Sequence, residues 1–331
     1  MIKLVVWDLD QTVWDGTYIY DGEKVKIKQP VLEVIKTIDQ KNVLQSVISR
    51  NPPELKDFLQ KIGLLQYFIL PKIGWQPKNQ LMFELLNEVH ILPKNVAFID
   101  DDDYELNLVK SSFPEIKCIK ADSCHEVLKM IMPSSTNFRK RFFKDEELRL
   151  QLKTHFKSEL EFLKNLDLKL LIREASEEEL HRVLELINRT NQLNSTGIKF
   201  KDVSELKEFY HDCSIIVGYP EDKFGAYGLS LIAVCKKQTE DTITIMQLIS
   251  SCRVLDRNIL VHFLGAIQDH YGCTKMIINF MPTKYNYVLQ NELIKYGFIK
   301  NVSCLYKCGK LTLPFQISIK SDLHELQNKM V

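Results

Sequence analysis

The residues best suited to chemistry form a scatter of carboxylates and polar groups with one property in common: each follows a short apolar run. Asp8-Leu9-Asp10-Gln11-Thr12 comes directly after Ile2–Trp7, so two aspartates at i and i+2 leave what reads as a strand end. That is where ligands of open α/β sheets bind. Ser49-Arg50-Asn51 closes a second apolar run, Pro77-Lys78 follows a third, and Asp100-Asp101-Asp102-Asp103 closes a fourth. Carboxylates gathered at one sheet edge would repel and raise one another's pKa unless a divalent cation neutralised them. Oxygen-only ligands suit Mg²⁺, which keeps waters and a substrate phosphate in its shell. The Ser49 hydroxyl and Lys78 supply donors for phosphoryl oxygens, and one carboxylate can attack phosphorus to give an aspartyl-phosphate. Together these types point to Mg²⁺-dependent phosphoryl chemistry.

The elements that must position these residues alternate. Ile2–Trp7, Val43–Ser49, Tyr67–Leu70, Asn95–Ile99 and Ile116–Lys120 have strand length. Between them, Val31/Val34/Ile35/Ile38, Leu55/Phe58/Leu59/Ile62 and Met82/Leu85/Leu86/Val89 mark helices by their i, i+3, i+4, i+7 spacing. Continuous apolar strands alternating with helices predict an α/β parallel sheet covered on both faces. Val13–Ile27, rich in Tyr, Val and Gly, predicts a small hairpin flap after the first strand. The first domain is therefore placed at 1–135. Pro133, Ser134 and Ser135 break the pattern, and a charged helix to Leu166 forms a linker over 136–168. Its basic trio, Arg139-Lys140-Arg141, reads as a solvated face.

A second domain is placed at 169–331. It opens with a strand at Lys169–Arg173 and a capping box, Ser176 to Glu179, ahead of the stripe Leu180, Val183, Leu184, Ile187. Antiparallel strands at Cys213–Tyr219, Ala226–Val234 and Thr242–Ser250 follow, then a helix over Asn258–Tyr271, a strand at Met276–Asn279 and a helix at Tyr287–Tyr296. Such an order predicts an α+β domain.

Bulk composition narrows the function classes. The 331 residues suffice for about two domains. A formal charge of +1 gives no electrostatic pull toward nucleic acid. No apolar run reaches the roughly 20 residues of a membrane span, and the charged start MIKLVVWDLD lacks a signal peptide's apolar stretch. The 8 cysteines then read as reduced thiols, mostly small buried hydrophobes, in a cytoplasmic protein. Cys304 and Cys308 have no histidine neighbour for a zinc site, and the 8 histidines share no metal or triad spacing. Trp7, Trp14 and Trp75 flank the carboxylate loops, and packing alone accounts for them.

DLDQT, SRN, PK and FIDDD resemble the haloacid dehalogenase superfamily of phosphatases. The resemblance implies Asp8 as nucleophile and Asp10 as general acid, then base. It implies Mg²⁺ held by Asp8, the Asp10 backbone carbonyl and Asp100, with Asp101 assisting, and a phosphoryl group bound by Ser49 and Lys78, with Arg50 and Asn51 completing that set. A small flap in place of a large cap leaves room for a carrier protein. DLDQTVWDG, SVISRNPPE, IGWQPKNQ and AFIDDDDYE resemble the FkbH-like branch, as do INRTNQLNSTG, FGAYGLS, SCRVLDR and MPTKYN…YGF with its C-terminal acetyltransferase-like (GNAT-like) domain. The implied activity is glyceryl transfer. A phosphorylated three-carbon acid, 1,3-bisphosphoglycerate, loses phosphate, and its glyceryl group passes to the phosphopantetheine thiol of an acyl carrier protein in polyketide-type biosynthesis. The branch's longer relatives carry an extra N-terminal domain that a chain opening on this strand is expected to lack.

Cys252, between Ser251 and Arg253, is either a nucleophile forming a thioester or a small residue lining the thiol's slot. Arg253, Thr283 and Asn286 match family positions for the carrier arm, and Thr283 and Asn286 equally suit helix capping. The resemblance places glycine at 256 and 258, where this chain has Asp256 and Asn258. Without those glycines, and with Asp256 opposing a pyrophosphate, a carrier-borne thiol is favoured over coenzyme A. The alternative is a phosphatase fused to a true N-acetyltransferase acting on an amine or sugar.

Overall fold

The protein is described from a computed structural model covering residues 1–131, 133 and 138–323. The predicted break at Ser134 and Ser135 lies outside the described residues. The chain divides into two compact units, Met1–Gln151 and Leu152–Val331.

In the first unit, β1 (Leu4–Trp7) leads into a flap built from β2 (Trp14–Asp15), the single helical turn α1 (Tyr18–Asp21) and β3 (Lys26–Ile27). Then come α2 (Gln29–Gln40), β4 (Leu44–Ser49), α3 (Leu55–Lys61), β5 (Lys72–Ile73), α4 (Lys78–Val89), β6 (Val96–Asp100), α5 (Asp103–Ser112), β7 (Lys117–Lys120) and α6 (Phe138–Lys153). The five long-range strands form one parallel sheet in the order β5-β4-β1-β6-β7. The predicted fold class is therefore present here. β1, β4 and β6 are buried along their whole length, because helices cover both faces. The flap exists as predicted: Trp14 pairs with Ile27 and Asp15 with Lys26 in an antiparallel ribbon.

Three expectations are corrected. Tyr67–Leu70 is not a strand. It is a short turn whose Phe68, Ile69 and Leu70 plug the core, and its pairing strand begins later, at Lys72. An apolar run without periodicity records burial, and burial alone does not make a ladder. The long helix to Leu166 is two helices, α6 and α7 (Glu159–Lys164), and Ser158 caps the second by accepting from Glu161 N–H at 3.2 Å. The basic trio is not wholly solvated either, since Lys140 pairs with Asp39 and lies over the Tyr67 ring.

The second unit continues with β8 (Lys169–Glu174), α8 (Leu180–Arg189), α9 (Val203–Phe209), β9 (Ser214–Asp222), β10 (Gly225–Ala226), β11 (Leu231–Thr239), β12 (Thr242–Ser250), α10 (Ile259–Tyr271), β13 (Lys275–Asn279), α11 (Tyr287–Lys295), β14 (Ile299–Lys300), β15 (Cys304–Cys308) and β16 (Ser318–Ser321). It is the predicted α+β domain, and its strand order is β14-β15-β13-β12-β11-β9-β8-β16. The β12–β13 and β8–β16 pairings are parallel within an otherwise antiparallel sheet. The Ser176 capping box is formed. β11 starts at Leu231 and not Ala226 because the chain first turns through Gly228, whose φ of 68° favours glycine. No helix among the described residues is long and apolar enough to cross a membrane.

Candidate active site

Strand register brings the predicted carboxylates together. Trp7 lies opposite Ile99 on β6 and Val47 on β4, so the next residue, Asp8, emerges beside Asp100 and close to Ser49. The Asp8 N–H donates to the Ile99 carbonyl at 2.9 Å, which fixes the loop at this edge. Lys78, the first residue of α4, reaches both carboxylates, with Nζ 2.8 Å from Asp8 Oδ1 and 2.6 Å from Asp100 Oδ2. A lysine opposes the partial positive charge of a helix N-terminus. Two buried anions in contact outweigh that cost.

Burial sets the electrostatics. Asp8 is 4% exposed and Asp100 is fully buried. Desolvation pushes Asp8 up to about 7, against the pull of Lys78 and with Asp100 adding to the rise. Asp100 is raised for the same first reason, with Lys78 opposing. Burial would lower Lys78, yet its two carboxylate partners hold it above its ordinary value. The cluster is short of positive charge. Asp8, Asp100 and Asp101 each offer an oxygen within 4.8 Å of the others. An oxygen-only set of this kind fits Mg²⁺. Thr12 ties the two acidic loops together, accepting from Asp101 N–H at 3.0 Å and donating to Asp101 Oδ1 at 3.1 Å.

Asp10 stands apart from that group. Both of its carboxylate oxygens are taken by N–H donors, from Trp14, the Tyr18 backbone and Asn51. Its side chain is thus engaged by the flap and by the loop after β4, and it is not among the carboxylates that cluster with Asp8. The same Asn51 amide donates to Ser49 Oγ at 3.0 Å, joining these two predicted phosphate ligands. Arg50 is exposed and pairs with Glu105 at 3.3 Å. A cleft of ≈ 290 Å³ is lined by the site carboxylates and Lys78 together with Arg50, Glu105, Gln11 and the half-exposed Trp75. Sequence reasoning gave no functional part to Thr12, Trp14 or Glu105.

In the second unit, Cys252 is the half-buried first residue of a turn after β12. Arg253 is held away from a free role: its Nε donates to Ser251 Oγ at 3.0 Å and its Nη2 to the Leu229 carbonyl at 3.4 Å. Arg189, at the end of α8, is close enough for its charge to interact with Cys252. The turn keeps left-handed backbone at the two positions where glycine was expected, φ 63° at Asp256 and 54° at Asn258. Asp and Asn tolerate that region better than other side-chain-bearing residues. Thr283 Oγ1 accepts from the Tyr285 and Asn286 N–H groups, both at 3.2 Å. Asn286, 1% exposed, does not cap α11 with its side chain. Its Nδ2 donates to the carbonyls of Asn194, Ser195 and Met281, and its Oδ1 accepts from Thr283 N–H. Its hydrogen-bonding capacity is used inside the protein.

No protein-family model matches the sequence, and neither does any curated protein. Among solved structures, the chain is similar to the N-terminal part of a Bacteroides fragilis protein containing a phosphatase domain, complexed with Mg, at 19% identity over 41% of this chain and 41% of that one, TM-score 0.37. It thus spans less than half of that chain's length. It is similar to the cobalt-bound deoxy-D-mannose-octulosonate 8-phosphate phosphatase of Haemophilus influenzae at 22% identity over 35% and 68% of the two chains, TM-score 0.29. A mutant spermidine N-acetyltransferase from Vibrio cholerae matches at 13% identity over 42% of this chain and 93% of that chain, TM-score 0.32.

Proposed function

We propose that the first unit is a Mg²⁺-dependent phosphatase of the haloacid dehalogenase type, acting through an aspartyl-phosphate. The observation that carries this reading is the buried Asp8–Lys78–Asp100 triad at the sheet edge, with Asp101 completing an oxygen cluster and Asp10 two residues from the nucleophile. Asp8 attacks phosphorus, the bond from phosphorus to the leaving oxygen breaks, and Asp10 gives that oxygen its proton. Water then attacks the aspartyl-phosphate and loses its proton to Asp10, which frees Asp8 and inorganic phosphate. Lys78 and the Ser49 hydroxyl offer donors to the phosphoryl oxygens. A Mg²⁺ ion held by Asp8, Asp100 and Asp101 would offset the negative charge gathered there.

The substrate we propose is 1,3-bisphosphoglycerate, and the acceptor is the phosphopantetheine thiol of an acyl carrier protein. This finer reading rests on the resemblance of motifs in both units to the FkbH-like branch. An acyl phosphate is an activated carboxyl: a thiolate forms a bond to its carbonyl carbon, the C–O bond breaks, and phosphate leaves with the electron pair. Cys252, with Arg189 in electrostatic range, is either that thiolate or a residue beside it.

Two measurements test these readings. Phosphate release from a phosphate ester with Mg²⁺ should vanish in Asp8→Asn, and retained release refutes the nucleophile. Intact mass after mixing the protein, Mg²⁺, 1,3-bisphosphoglycerate and a pantetheinylated carrier should reveal a glyceryl adduct. An adduct on the enzyme that is lost in Cys252→Ala identifies the covalent route, one only on the carrier identifies direct transfer, and none on either removes the glyceryl reading.

A further inference from the structure

Asp10 is gripped from two sides. Its Oδ1 accepts from Trp14 Nε1 at 2.8 Å and from the Tyr18 backbone N–H at 2.9 Å, both in the flap. Its Oδ2 accepts from Asn51 Nδ2 at 2.9 Å, from the loop after β4. Three N–H donors converging on one carboxylate fix its plane and leave only particular lone-pair directions open.

The flap side of this grip is rigid. Trp14 is fully buried, and its ring stands edge-on to Phe58 of α3 with centroids 6.2 Å apart. Tyr18 packs on the same Phe58 ring at 5.2 Å. The Leu9 carbonyl accepts from the N–H groups of Thr12, Val13 and Trp14, so the flap is rooted on the residue just before Asp10. Moving the indole N–H off Asp10 therefore means unpacking the flap from α3. A proton-transfer group works only when it is held in reach and in line.

We propose that Trp14 and the Tyr18 amide are positioning residues for Asp10, so that the flap is part of the proton-transfer machinery as well as a cover. This rests on the phosphatase reading of the first unit. It goes beyond that reading by assigning the flap a share of the rate for those substrates whose leaving group needs a proton.

Leaving-group chemistry separates this role from mere support. Trp14→Phe keeps an aromatic ring against Phe58 and deletes the N–H. The quantity to compare is kcat/KM, which reads the step that expels the leaving group, for an alkyl phosphate and for p-nitrophenyl phosphate. The alkyl oxygen needs Asp10's proton, whereas p-nitrophenolate leaves without one. We expect about a tenfold fall for the alkyl ester, a fraction of the 10²–10⁴ general-acid effect, and less than about a twofold change for the aryl ester. Equal falls for both esters, or no change in either, overturns the proposal. Should Trp14→Phe fail to fold, Tyr18→Pro removes the other donor to the same oxygen, and proline suits the first residue of a helical turn. The same asymmetry is expected. A readout independent of turnover is the exchange of the Trp14 indole proton with solvent. It should quicken at least about tenfold in Asp10→Ala if the hydrogen bond is present, and an unchanged rate overturns the proposal. An enzyme that turns over neither ester, yet keeps its indole proton protected by Asp10, refutes the phosphatase reading and not the grip.

Discussion

Without a divalent cation, Asp8→Asn should stabilise the first unit, and by more at pH 8 than at pH 5. Asp8 is buried, shares Lys78 with Asp100, and is pushed from 3.8 to about 7. A carboxyl with a raised pKa keeps its proton in the folded chain over a range where the unfolded chain has lost it. Its contribution is complete below pH 3.8 and is lost as pH rises through 7. Between pH 5 and pH 7 the loss is about two pKa units, or roughly 3 kcal/mol, and it belongs to the coupled Asp8–Asp100 pair. Asparagine cannot titrate, so the variant should lack this slope, and its advantage over wild type should grow by roughly 3 kcal/mol between pH 5 and pH 8. Urea unfolding followed by tryptophan fluorescence reads the effect cleanly, since all 3 tryptophans, at positions 7, 14 and 75, fall within Met1–Gln151. Mg²⁺ should then restore wild-type stability at pH 8 by binding the ionised cluster, and should help the variant less. Parallel stability profiles for the two proteins from pH 5 to pH 8 refute the reasoning.

Two further outcomes follow from buried charge. Lys78→Met strands Asp8 and Asp100 without their cation and should cost about 3–5 kcal/mol by the same fluorescence assay, with phosphate release lost; a variant as stable as wild type at neutral pH contradicts the triad. His262 on α10 is fully buried, edge-on to Phe315 at 5.2 Å, with neither ring nitrogen hydrogen-bonded among the described residues, and burial lowers it to about 4. Its neutral form contributes stability above pH 6.5 that is lost as pH falls toward 4, roughly 3 kcal/mol in all. His262→Leu should therefore flatten the acid dependence of α10 amide exchange, and an unchanged dependence counts against the assignment.

The site of the first unit was legible because strand ends translate directly into position. Once Ile2–Trp7, Val43–Ser49 and Asn95–Ile99 are read as parallel strands, Asp8, Ser49 and Asp100 must share an edge. Tyr67–Leu70 was misread because an apolar run without period reports burial whether or not it joins a ladder. What the sequence hid was side-chain direction. Nothing in the spelling DLDQTVW says that the indole of Trp14 turns back on Asp10, or that Lys78 sits between two carboxylates and not beside one. In SCRVLDRN the backbone is left-handed at both positions where glycine was expected, since Asp256 and Asn258 can adopt that φ. Backbone shape and glycine content are separable there.

The second unit poses a sharper test, at the edge where β12 leaves β13. Their pairing runs from Thr242–Lys275 to Ile245–Ile278 and stops, although β12 continues to Ser250. An amide-rich arm such as pantetheine could add to that free edge as a strand would. Here the edge is already occupied by the chain itself. Ser195 N–H donates to the Leu248 carbonyl, Ser250 N–H donates to the Leu193 carbonyl, and Leu248 N–H donates to Ser195 Oγ, each at 2.9 Å. Asn286 locks the inserted segment by donating to the carbonyls of Asn194 and Ser195. The Leu248 and Ser250 amides should therefore be strongly protected from exchange in the free protein, and neither coenzyme A nor a pantetheinylated carrier should protect them further. Asn286→Ala takes the donor from the buried Asn194 carbonyl, while Ser195 keeps the Met281 N–H, and should cost about 1–3 kcal/mol of local stability, seen as faster exchange at those same two amides. If either ligand instead slows exchange at Leu248 and Ser250 in the wild-type protein, the segment gives way to the arm. The thiol then enters along β12 itself, with Asn286 acting as the latch that holds the closed form.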